Sequence, residues 1–226
     1  DSLGAGLSLV ATALAFGARL IAFRMMGVGS FSLDTPAYVA ALVTLGPGAT
    51  AWVVLVSMLM GSLVDLVRRE VVDREHWPAW VSVLKLAFGP LLCVAIFTLV
   101  GLVLRPEHLF GQAHGSISLA IVWFVAVSVA VVALNFVLVG VSYRMNGVGW
   151  SVIGREVGVP VAWGETAMIP LGLALAIAFK EGDLLPLATI SVAYLIFNYI
   201  FRRMWLMAKS LEDKVDTTWI EQGNPG

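Results

Sequence analysis

Several uninterrupted apolar runs, each of 18 residues or more, constrain this chain more than any other feature. Ser116 to Tyr143, for example, contains no charged residue. Such runs are long enough to cross a hydrocarbon core of roughly 30 Å as helices. The composition agrees: 59% of residues are hydrophobic and 13% charged, about half the charge of an ordinary soluble domain. The expectation is an all-α, polytopic membrane protein with the lipid bilayer as its first partner. A net charge of −1, with no basic patch interleaved with aromatics, gives no reason to expect nucleic acid as a partner. The single cysteine, Cys93, sits in an apolar run, so it cannot pair within the chain and reads as a structural thiol.

The stretch Ala13–Gly29, ALAFGARLIAFRMMGVG, returns as Ala133–Gly149, ALNFVLVGVSYRMNGVG, with eight of 17 positions identical. Each copy ends an apolar run, then passes an arginine into Gly-Val-Gly. Both read as membrane helices leaving the bilayer on the same side, which suggests a parallel internal repeat. Taken in order, the spans are 3–26, 36–45, 49–67, 78–104, 116–143, 160–179 and 184–201. Asp34 or Thr35 followed by Pro36 is a helix start signal. The second span is short. Gly46-Pro47-Gly48 ends it after about 15 Å, half a bilayer, so it is either a half-helix or extends backward. A break at that depth must be buried in protein or line a cavity. Pro170 reads as a second break, in the sixth span. The domains are therefore a transmembrane region over 1–203, with repeat one at 3–67, a linker span at 78–104 and repeat two at 116–203, and a cytoplasmic helical tail over 204–226. Asp1 at the start and GNPG at the end read as cuts in a longer chain.

Loop charge orients the seven spans. Ten cations (Arg24, Arg68, Arg69, Arg74, Arg144, Arg155, Arg202, Arg203, Lys209 and Lys214) fall on one side and two, Arg105 and Lys180, on the other. The positive-inside rule puts the C-terminus in the cytoplasm and the N-terminus outside. The two copies of the repeat then run in the same direction, as they must.

Polar groups inside the spans are few: Arg19, Asp34, Lys85, Asn135, Glu165 and Asn198, all in the cytoplasmic half. Intramembrane ionisable groups are functional candidates by default. Arg19 and Lys85 balance Asp34 and Glu165 in charge, so the six form either a polar pocket opening toward the cytoplasm or a layer that re-pairs between two states. The alternative is that the cations snorkel to the headgroups and the carboxylates cap helices. His76, His108 and His114 lie in loops on both faces and form no metal set. No nucleophile–base pair, H-E-x-x-H motif or phosphate loop is present. The chain is expected to be non-catalytic, without metal or cofactor.

The stretch FSLDTPAYVAALVTLGPGATAWVVLVSMLMGSLVD at Phe31–Asp65 resembles the multi-span N-terminal sensor regions of bacterial signalling proteins. These regions precede HD-GYP, GGDEF or histidine-kinase output domains. NFVLVGV at Asn135–Val141, IPLGL at Ile169–Leu173 and a last span running into a charged helix are similar too. The resemblance implies an input module in the bacterial inner membrane, paired with a second copy in a homodimer, that signals through its last helix to an output domain outside these residues. Two other readings stay open: a small-molecule transporter or substrate-binding membrane subunit, and a non-catalytic subunit of a membrane complex.

Overall fold

The computed structural model describes residues 2–21, 23–25, 29–31, 33–68, 79–105, 117–145 and 147–222. Helix α1 is Ser2–Leu20. A two-stranded antiparallel ribbon follows, β1 (Phe23–Met25) against β2 (Gly29–Phe31) with Arg24 opposite Ser30. Then come α2 (Thr35–Arg68), α3 (Ala79–Leu104) and α4 (Ile117–Met145). The short α5 (Trp150–Ile153) passes through a π-helical turn, Gly154–Gly158, into α6 (Val159–Glu181). Gly182, at φ +70, turns the chain into α7 (Leu184–Gln222). Four of these helices, α2, α3, α6 and α7, are long and apolar enough to cross a membrane.

Helix α2 is a hairpin, not a rod. Gly46 adopts φ 81° and ψ 174°, a conformation open essentially to glycine alone. The Tyr38 hydroxyl lies 2.8 Å from Ser57 Oγ. In a straight helix those two residues would stand about 28 Å apart along the axis. The chain therefore folds back at Gly46. One limb is Thr35–Leu45, about 16 Å long, and the other begins at Pro47 and runs about 33 Å to Arg68. The short second span is thus a half-helix, and the expected burial of its break is met: Gly46 receives the Thr50 hydroxyl on its carbonyl at 2.8 Å.

This half-helix is the centre of the bundle. Eleven consecutive residues, 33–43, are buried on every side. Small residues permit that enclosure, because Ala37, Ala40 and Ala41 let neighbouring backbones come close. Glycines on the surrounding helices do the same from outside. Gly101 of α3 abuts Leu42 and Pro47, Gly164 of α6 abuts Leu33, and Gly172 of α6 abuts Pro36. Phe97 of α3 packs edge-on to the Tyr38 ring at 5.3 Å. Phe124 of α4, fully buried, closes the layer against Gly172.

Two expectations change here. Pro170 does not break its helix, since α6 continues from Val159 to Glu181. One missing backbone donor does not end a helix whose flanking turns are held by tertiary packing. The irregular backbone in that half lies earlier, in the π-turn at Gly154–Gly158. The matched tails of the two sequence copies also differ in structure. The first turns from α1 into β1 after Leu20, whereas α4 carries helix through Arg144 and Met145 before Gly147 at φ +86. Identical short sequences follow their tertiary surroundings. His76, His108 and His114 lie outside the described residues, as does the Lys85 side chain.

Candidate ligand pocket and buried polar network

Two polar groupings converge on the start of the half-helix. The first is a network that begins at Asp34, whose backbone carbonyl takes the first helical bonds from Ala37 and Tyr38. Its carboxylate faces sideways. Arg19 Nη1 donates to Asp34 Oδ2 at 3.0 Å, with the two side chains 16% and 9% exposed. Tyr38, one turn on and on the same face, donates to the same oxygen at 3.0 Å. Ser57 joins from the second limb, and donates to the Val53 carbonyl at 2.6 Å. The network ties α1 to both limbs of α2. Gly61 makes room for it, because a Cβ there would fall on the Arg19 stem.

The second grouping surrounds a cavity of about 500 Å³ between the half-helix, α4, the π-turn and α6. Its floor is buried: Thr35, Pro36 and Val39 from the half-helix, Ser128 from α4 and Glu165 from α6. Glu165 is 6% exposed and its carboxyl meets the Thr35 hydroxyl. Phe136 and Ile169 extend the apolar wall. The mouth lies between α4 and α6, where Val129 and Val159 are 57% and 53% exposed. Apart from the Thr166 hydroxyl the rims are apolar, so the cavity opens sideways onto the hydrophobic surface of the bundle. A concave, mainly apolar pocket with a few placed polar groups is the usual form of a small-molecule site.

Helix α7 touches this floor from behind. The Tyr194 hydroxyl donates to the Leu33 carbonyl. Asn198 Nδ2 donates to the Tyr194 carbonyl at 3.0 Å, and Phe201 meets Gly164 beside Leu33.

The six candidate residues therefore divide. Arg19 and Asp34 form an ion pair, Glu165 lies on the cavity floor one residue-width away at Thr35, and Asn198 braces Tyr194. Asn135 is half-buried on α4 with no hydrogen bond to a described residue. Lys85 cannot be placed in either grouping, since its side chain lies outside the described residues. Among the described residues no three of His, Cys, Asp and Glu stand close enough to hold a metal ion. Family models, curated proteins and solved structures give no match to this chain.

Sequence reasoning did not pick out Tyr38, Ser57, Ser128 or Tyr194, and took Thr35 only as a possible helix cap. Their hydroxyls sit inside apolar runs, where they read as core filler. One signal was present: Asp34 and Tyr38 are spaced i, i+4, which places them on one helix face.

Proposed function

We propose that this chain is a membrane-embedded input domain that binds a small molecule in the lateral cavity and passes the event to α7. The observation that carries the reading is the shared half-helix. Thr35, Pro36 and Val39 line the cavity, while the Leu33 carbonyl two residues earlier is held by Tyr194 of α7. A ligand that displaces the floor biases the position of α7, which is the condition for a population shift between two states. Helix α7 is suited to carry the result, being 39 residues or about 58 Å long, far longer than a bilayer requires. Beyond Arg202 and Arg203 it presents exposed Met204, Met207 and Leu211, a surface for a second copy or an output domain.

The bundle sits with its N-terminus outside and its C-terminus in the bacterial cytoplasm. The hairpin form of α2 leaves this sidedness intact, because a limb that enters and returns exits on the face it entered, whatever its depth. The ten-to-two cation asymmetry therefore still applies. Seven helical segments in a parallel three-plus-one-plus-three arrangement, with the second reaching only mid-depth, is the corresponding topology.

The test fills the cavity. Thr166→Trp at the exposed rim mimics occupancy, and spin labels at Met207 and at an exposed α4 position, Val122, report α7. The distance is expected to shift by several ångström, and Tyr194→Phe should remove the shift. A filled cavity that leaves α7 stationary would favour the second reading, a substrate-binding or transport subunit. The roomy, laterally open cavity is what supports that alternative, and uptake by vesicles containing the chain would then be the assay.

A further inference from the structure

We infer that the cavity receives a lipophilic amine, with its protonated nitrogen on Glu165 and its apolar body toward the α4–α6 mouth; this rests on the ligand-pocket reading above. The argument is one of charge. Asp34 has its cation in Arg19, at 3.0 Å. Glu165 meets the Thr35 hydroxyl, and the described lining residues include no cation. A buried carboxylate without a counter-charge is costly, and a ligand ammonium supplies that charge where the protein does not. The remaining floor suits the same head group, since the Ser128 hydroxyl, which donates to the Phe124 carbonyl, keeps its oxygen as an acceptor in the same lining. Phe136 adds an aromatic ring to the lining, and aromatic rings attract cations. The ionisable group is at the bottom and the rim, apart from Thr166, is aliphatic, so the ligand enters head first from an apolar phase. An anionic ligand would place its charge against Glu165 with nothing to offset it. A zwitterionic aminolipid also carries an ammonium, but its phosphate finds no cation among the described lining residues.

The experiment uses the whole chain in phosphatidylcholine nanodiscs and three probes of one shape: 4-phenylbutylamine, 4-phenylbutanol and 4-phenylbutyrate. The amine is expected to bind about tenfold more tightly than the alcohol, or better, as a charge-assisted hydrogen bond gives, with the acid weakest. Glu165→Gln should reduce the amine to the level of the alcohol. Glu165→Asp should keep part of the preference, which separates loss of charge from loss of fold. Nanodiscs containing phosphatidylethanolamine identify the source of the head group. Weaker binding of the amine probe there assigns the site to an aminolipid, and unchanged binding assigns it to a free amine. Equal binding of all three probes, abolished by Thr166→Trp, would overturn the amine and keep the pocket. A preference that survives Glu165→Gln would also overturn it. No binding of any probe would overturn the amine and the pocket together.

Discussion

At the scale of single residues, the fold depends on where one carboxylate points. Asp34 starts a helix with its carbonyl but gives its side chain to Arg19 and Tyr38. Removing one member of such a pair leaves a buried charge alone. Asp34→Asn and Arg19→Met should each lower stability by about 3 kcal/mol, and the double variant by less than the sum. Thermal unfolding in detergent of all three variants checks this. Tyr38→Phe loses the hydrogen bond to Asp34 and the polar contact with Ser57, and should cost about 1–2 kcal/mol. Charge balance put Arg19 and Lys85 against Asp34 and Glu165 but left open both which would pair and whether the cations would snorkel instead; Arg19 with Asp34 is the pair the structure forms. The part played by Tyr38 and Ser57 was not, because a hydroxyl within an apolar run carries no sign of the partner it meets 19 residues away.

At the scale of elements, the reversal at Gly46 decides the architecture. An alanine there must adopt φ 81° and ψ 174°, and Gly46→Ala should cost about 1–3 kcal/mol. Gly48→Ala, two residues on, has open space around it and no positive φ. It should be neutral or slightly stabilising, as alanine for glycine in a helix is. The two unfolding midpoints, measured side by side, separate backbone strain from packing. The hairpin itself is checked by a Tyr38→Cys/Ser57→Cys pair and a short bifunctional maleimide. An intramolecular link forms if the limbs face each other and cannot form across a straight helix. Gly-Pro-Gly announced a break in the sequence, and ten apolar residues left a half-helix or a backward extension as the two options. The reversal, however, is imposed by α3 and α6, whose glycines admit the limb, and such long-range fit has no local signature. Pro170 shows the converse: a strong local signal that the surrounding packing overrides.

At the scale of the whole molecule, the apolar runs foretold the helical bundle, while the cavity required elements far apart in the chain, residues 35, 128 and 165, to meet. Single-cysteine labelling in sealed vesicles checks the topology. A thiol at Asp183 should react from the outer face, and one at Met207 only from the cytoplasmic face. The buried half-helix has a further consequence for how the protein is made. A segment about 16 Å long cannot rest in lipid by itself when it leaves the ribosome. Its enclosing wall includes Gly164, Gly172 and Tyr194, which are synthesised more than 120 residues after Thr35. During that interval the limb must wait, shielded by the insertion machinery or shallow at the membrane surface. The centre of the finished bundle is thus among the last parts to be seated, and biogenesis of the first half is completed only by the arrival of the second.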